Sequence, residues 1–311
     1  MFWTISLNIL FLALGFFLLA KGADLFVDGS SSVARRFKIP QLVIGLTVVA
    51  MGTSMPEAAV SIKAAISGNA DISIGNVVGS NILNILIILG LSALIFPLMM
   101  KKSTQLIDIP IVIGASALLF VIGLTGKISW WGGLVFLLAF IGYLSYLFIG
   151  AKKNGAQEEE EIKILPVWKS ILFIILGVGM IIFGSECAVT TASTLAKLAG
   201  MSDSFIGLTI VALGTSLPEL FTSVAAAIKK NPDIAIGNVV GSNIFNILFI
   251  LGITSLITPI NFAPSFLIDT IISLTCAVLL LVLSLKGRKL HRWGGAIMLL
   301  GYCGYFVYLL V

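Results

Sequence analysis

Glu57 and Glu219 lie well inside long apolar stretches of this chain. An ionised carboxylate at a membrane-helix centre costs roughly 2.5–3.5 kcal/mol on insertion scales, so such an acid faces a cavity, pairs with a base or holds a cation. No Lys or Arg shares their depth apart from Lys63 toward the outer end of its stretch, which favours a cation over the two remaining readings, structural pairing and protonated carboxyls. Each acid closes the string G-T-S-x-P-E, at residues 52–57 and 214–219. A proline inside a helix removes one amide donor and clashes with the carbonyl four residues back, so carbonyls near 51–53 and 213–215 should be partly released as hard oxygen ligands. A proline kink alone is common in membrane helices; a proline one residue before a buried acid, twice, favours a functional reading.

A second string, G-N-V-V-G-S-N, occupies 75–81 and 237–243 and is followed by Asn84 and Asn246. On a helix Asn76, Ser80 and Asn84 are four apart, as are Asn238, Ser242 and Asn246, so each set forms one polar stripe. Glycines and amides also serve close helix packing with interhelical hydrogen bonds. For Asn76 and Asn238 packing and ligation are both open; Ser80, Ser242, Asn84 and Asn246 read as ligands. The donor set is oxygen only, since His291 is the single histidine and sits in a loop. Such sites suit calcium, sodium or magnesium rather than softer metals, and calcium sheds water more readily than magnesium. One calcium or two monovalent ions balance two carboxylates, and competition for one site is a physical basis for exchange. A third sodium would make the cycle electrogenic.

These residues need a scaffold, and the composition says which kind. Of 311 residues 59% are hydrophobic and 11% charged, with a mean hydropathy of +1.13. That excludes a soluble fold and a disordered chain, and the long apolar runs are unlike the short alternating segments of a membrane barrel. The net charge of +5 is scattered among loops rather than gathered for nucleic acid. Cys187, Cys276 and Cys303 form no C-x-x-C pair and read as small core residues. The first apolar run lacks a basic segment before it and a small-residue cleavage site after it, which makes it a span rather than a signal peptide.

Apolar runs predict ten spans near 4–24, 40–66, 72–97, 109–125, 130–150, 167–187, 203–228, 234–258, 266–285 and 293–311. The most polar connection, 151–165, contains the acidic run 158–161, read as a solvated linker. It divides the chain into a first five-span repeat, 1–150, a cytoplasmic linker, 151–165, and a second repeat, 166–311. Residues 45–84 and 207–246 align without a gap at an offset of 162, with about two-thirds of positions identical. An odd number of spans per half inverts the second copy, as in many secondary transporters that bind their cargo at the repeat interface. The predicted fold is therefore an all-α integral membrane protein of ten helices in two inverted five-helix repeats. With both termini outside, most basic residues, among them Arg35, Arg36, Lys101, Lys102, Lys152 and Lys153, fall on the cytoplasmic face. Only Lys63, Lys127 and Lys197 fall outside, and Lys21 snorkels from the end of the first span.

The paired G-T-S-x-P-E and G-N-x-x-G-S-N blocks resemble the alpha repeats of the cation/calcium antiporter superfamily, within its sodium/calcium exchanger branch. The short linker resembles compact prokaryotic members, without the large regulatory insertion of eukaryotic ones. The resemblance implies an antiporter in the plasma membrane that normally extrudes calcium by alternating access, the first and sixth spans moving past a core of signature spans. It implies calcium held by Glu57, Glu219 and the carbonyls of Thr53 and Thr215. Sodium would use the same glutamates with Ala50, Thr53, Ser54 and Ser80 in one half and Ala212, Thr215, Ser216 and Ser242 in the other, while Asn84 and Asn246 line the centre. Calcium, sodium and the lipid bilayer are the expected partners, with no resident cofactor and no nucleic acid.

Some relatives, including those that also carry potassium, have Asp where Asn246 stands, which points here to potassium independence. A proton- or potassium-coupled calcium antiporter is the alternative. An intramembrane hydrolase would not need two copies of the same Ser, Thr and Asn oxygens, and channels usually build filters from subunit rings. The chain is therefore not expected to be an enzyme.

Overall fold

The computed structural model describes residues 2–154, 165–201 and 212–310. Among them the chain is helical throughout apart from four two-residue strands. α1 is Phe2–Arg36, α2 Gln41–Thr53, α3 Met55–Ile66, α4 Ile72–Ile95, α5 Thr104–Gly123, α6 Trp130–Asn154 and α7 Val167–Leu198. α8 is Ala212–Thr215, α9 Leu217–Ile228, α10 Pro232–Ile257, α11 Pro264–Ser284 and α12 Arg292–Leu310. Seven of these helices are long and apolar enough to cross a membrane, and α2 with α3 makes an eighth span bent by 48°. The expected span 203–228 is described only from Ala212 onward, and most of the expected linker 151–165, with its acidic run, lies outside the described residues.

The first and sixth expected spans are longer than charge patterning suggested. α1 runs to Arg36 and α7 to Leu198. Lys21 is therefore an exposed mid-helix residue rather than a span end. At 1.5 Å per residue a helix of 35 residues spans about 52 Å, against a hydrocarbon core of about 30 Å. The side chains of Asp24 and Asp28 are both about half exposed on α1, and Lys229, just after α9, lies 2.8 Å from Asp28 Oδ1 and 3.4 Å from Asp24 Oδ1. Asp108 is a second correction: charge placed it outside the span 109–125, yet it lies buried in α5, where Tyr143 donates a 3.2 Å hydrogen bond to it. A tyrosine one span away meets the carboxylate's need for a donor. Of the three cysteines only Cys276 is buried; Cys187 is half-buried and Cys303 exposed, so the core expectation holds for one.

Lipid tails are as apolar as leucine, so packing and hydrogen bonds rather than water expulsion join these helices. α1 and α7 show how. Gly15, Gly22 and Gly29 recur every seven residues, and a Cβ on them would approach Gly184 O to 2.9 Å, Gly177 O to 2.9 Å and Ser170 O to 2.7 Å. Ascending numbers on α1 meet descending numbers on α7, so the two helices run antiparallel with backbones in contact. Their remaining faces carry exposed Leu, Phe and Ile, and only 28% of the apolar window of each is buried, against 94% for α10 and 72% for α4. α10 and α4 are the centre and α1 and α7 the periphery.

The short strands tie the loops together. Residues 98–99 pair antiparallel with 289–290, and 127–128 with 260–261. The pairs Leu98–Leu290 and Ile128–Ile260 exchange under the 162-residue offset, so each half lends one strand to the other.

Candidate ion-binding site

The site forms where α2 stops and α3 begins, and where α8 gives way to α9. Ser54 leaves helical geometry at φ −83°, ψ 10°, and Ser216 does so at φ −92°, ψ 5°. Pro56 and Pro218 then occupy the first turns of α3 and α9, where their missing N–H is harmless to the new helix. The ladder resumes with Ala58 N donating to Ser54 O at 3.1 Å and Leu220 N to Ser216 O at 3.0 Å. Glu57 and Glu219 consequently sit in the first turn of a helix, where the helix dipole favours negative charge.

Both glutamates are 0% exposed, and their contacts cross between the halves. Ser54 donates to Glu219 Oε1 at 2.6 Å, while Ser216 donates to Glu57 Oε1 at 3.3 Å. Ser80 lies 3.5 Å from Glu57 Oε1 and 3.3 Å from Ser216 Oγ. Neither glutamate has a Lys or Arg partner among the described residues. A buried carboxylate that keeps its charge without a basic partner needs a cation.

Among the described residues, beside several unpartnered hydroxyls elsewhere, four buried carboxylate and amide oxygens lack any donor: Glu57 Oε2, Glu219 Oε2, Asn84 Oδ1 and Asn246 Oδ1. They form two pairs related by the sequence repeat. The amide N–H groups of the asparagines are engaged, Asn84 Nδ2 donating to Asn243 Oδ1 and Asn246 Nδ2 to Asn81 Oδ1, each at 3.0 Å. Among the described residues no group of three His, Cys, Asp or Glu side chains converges, so the charge of the site is set by the two glutamates and the rest of its oxygens are neutral.

Other expected ligands lie in a flanking network. Thr53 Oγ1 donates to Asn238 Oδ1 at 3.0 Å or Ala50 O at 3.2 Å, and Ser242 Oγ lies 3.4 Å from Ala50 O. The hydroxyls of Thr53 and Ser242 thus reach protein acceptors as well as the Glu219 carboxylate, so both stay beside the site. Thr215 closes α8 at the position matching Thr53, and Ala212 opens the same helix. Asn76 and Asn238 both serve packing. Asn76 Nδ2 donates to Glu57 O at 3.1 Å and Asn238 Nδ2 to Glu219 O at 3.3 Å, so each clamps a signature helix to its neighbour.

Of the glycines expected to pack closely, a Cβ on Gly237 would come within 2.9 Å of Gly45 Cα and one on Gly241 within 2.6 Å of Leu46 O. Gly75 has only Phe266 at 3.6 Å, and Gly79 has nothing within 4 Å among the described residues.

Pro56 and Pro218 withdraw the donors that Gly52 O and Gly214 O would otherwise receive. The released Gly214 carbonyl is taken by Ser185 Oγ of α7 at 2.7 Å, a contact the sequence reading missed. The position 162 residues earlier is Ala23, so the first half cannot repeat it. Ser185→Ala should cost about 1 kcal/mol, lowering the melting temperature slightly; an unchanged melting temperature would mean that this bond adds nothing to the fold.

The chain matches the family described as sodium/calcium exchanger protein over residues 7–149 and again over 169–311. It is 37% identical to the putative antiporter CaxA of Alkalimonas amylolytica over 95% of this chain and 96% of that protein. It is 34% identical to the sodium/calcium exchanger MaX1 of Methanosarcina acetivorans, covering 98% and 99%. A solved structure of the sodium-calcium exchanger NCX_Mj superposes with a TM-score of 0.86 at 37% identity, covering 97% of this chain and 99% of that one. A helical membrane chain that matches along nearly its whole length, in sequence and in fold, belongs to the sodium/calcium exchanger family, which is a family of transporters.

Proposed function

We propose that this chain is a secondary antiporter that exchanges sodium for calcium across a prokaryotic plasma membrane, extruding calcium as sodium enters. The observation that carries this reading is the set of four donor-less acceptors, two of them on glutamates, at the junction of the two halves. Their combined charge is balanced equally by one calcium or by two sodium ions. Either cargo satisfies the buried carboxylates and leaving the site empty does not, so the protein is driven to change conformation loaded rather than bare. That preference is what couples the two fluxes.

The ligands are Glu57 and Glu219, with Ser54, Ser80, Ser216, Ser242, Asn84, Asn246 and Ala50, Thr53, Ala212 and Thr215 around them. No resident cofactor takes part. The chain then forms ten spans in two repeats joined by the linker 151–165, with both termini outside as the Lys and Arg pattern suggests; the antiparallel course of α1 and α7 supports the inversion of the second repeat. Alternating access follows if that peripheral pair shifts against the buried centre of α4 and α10, exposing the site to one side at a time.

The test is uptake of radiolabelled calcium into proteoliposomes preloaded with sodium, compared at matched voltage with potassium, lithium or a proton gradient as the drive. Uptake driven by sodium alone is the expected result. Drive by protons or potassium would overturn the assignment of the coupling ion, and calcium flux that needs no counter-ion would overturn antiport.

A further inference from the structure

We propose that Asn81 and Asn243 are positioning residues for ion binding: their carboxamides hold those of Asn84 and Asn246 in the one orientation that turns an oxygen, and not an N–H, toward the ions. This rests on the reading of Asn84 and Asn246 as ligands.

Asn81 Nδ2 donates to Asn243 O at 3.2 Å, and Asn243 Nδ2 donates to Asn81 O at 3.2 Å. A backbone carbonyl only accepts, so each of these side chains must present its NH2 group to the opposite helix. That leaves Asn243 Oδ1 as the acceptor for Asn84 Nδ2 and Asn81 Oδ1 as the acceptor for Asn246 Nδ2, both at 3.0 Å. Turning over either ligand amide would set oxygen against oxygen. Two backbone carbonyls therefore dictate the orientation of four carboxamides, all of them at most 1% exposed. What remains is Asn84 Oδ1 and Asn246 Oδ1, buried and without a partner. A reversed amide would aim an N–H dipole at the cation and repel it.

The network also crosses the boundary between the halves at every link, since α4 carries Asn81 and Asn84 and α10 carries Asn243 and Asn246. Each half thus orients the ligand of the other. Loss of a group that orients a metal ligand typically lowers affinity about 10–100-fold, and loss through one shared ligand is not additive with loss of that ligand.

The experiment is a double-mutant cycle on the full-length protein in proteoliposomes, reading the calcium KM of sodium-driven uptake together with the melting temperature of the ion-free protein. Asn243→Ala is expected to raise the KM about tenfold or more in the otherwise native protein, and less than about twofold once Asn84→Ala is present. Asn81→Ala should behave in the same way toward Asn246→Ala. If Asn243→Ala raises the KM by the same factor in both backgrounds, or lowers only the melting temperature, positioning is overturned. If Asn84→Ala and Asn246→Ala themselves leave the KM unchanged, the ligand reading fails instead. Should Asn243→Ala not reach the membrane, Asn243→Ser supports the same cycle, because one hydroxyl cannot serve both the Asn81 carbonyl and the Asn84 amide at a carboxamide's reach.

Discussion

Glu57→Gln or Glu219→Gln is expected to abolish sodium-driven calcium uptake while leaving a folded protein. Each glutamate is 0% exposed, has no Lys or Arg partner among the described residues, and keeps one carboxylate oxygen without a donor. An amide offers the same shape and one acceptor but no charge. Removing one partner of a buried charge pair costs about 3–5 kcal/mol, which is roughly two to three and a half orders of magnitude in affinity or rate. The same change should not weaken the ion-free protein. A lone buried carboxylate raises the free energy of the empty state, so an amide there relieves a penalty. The ion-free variants should therefore melt at or above the temperature of the ion-free native protein, and calcium should no longer raise that temperature. Melting curves with and without calcium, alongside the uptake assay, check both halves of the expectation. A Gln variant that exchanged calcium at the native rate would sink the assignment of the site.

The second large effect is expected far from any carboxylate. Gly184→Val on α7 places a branched side chain where even a Cβ would come within 2.8 Å of Gly15 O and 2.9 Å of Leu19 N. Both atoms belong to the α1 backbone and cannot rotate away as a side chain would. The helices must part, and the close contacts along the whole α1–α7 seam are lost with them. Overpacking of this kind costs about 1–3 kcal/mol, and transport should fall more steeply than stability because the two peripheral helices then no longer sit together against the site. Gly179→Val on the same helix is the control, since a Cβ there meets nothing within 4 Å among the described residues. Equal losses of uptake and melting temperature in the two variants would show that the seam has no special role.

Much of this protein was legible from local pattern alone. Apolar runs identified a helical membrane protein, because the hydrocarbon core demands long apolar helices with internally bonded backbones. The proline before each buried acid pointed to a weakened ladder near 51–53 and 213–215, and the helices do break next to these positions, at Ser54 and Ser216, since a missing N–H acts on its own neighbourhood. The 162-residue offset pointed to paired sites, and the donor-less oxygens of Glu57, Glu219, Asn84 and Asn246 do come in such pairs.

Tertiary structure decided the rest, for one physical reason: a hydrogen bond between distant segments leaves no periodic trace. A stripe of residues four apart singled out Asn76, Ser80 and Asn84 together, yet Asn76 became a packing clamp because Glu57 O lies within its reach on the neighbouring helix. Asn81 was passed over because it is off that stripe, and its role follows only from Asn243 facing it across the centre. The expected span near 109–125 began one residue after Asp108, whose buried place in α5 rests on a donor from another span, Tyr143. The sequence by itself thus determined the medium, the elements and the kinds of atom available to an ion. Which of those atoms are spent on the protein and which remain for the cargo depends on partners on other helices, 19 residues away for Asn76 and 165 for Asn246, and only the assembled helices settle it.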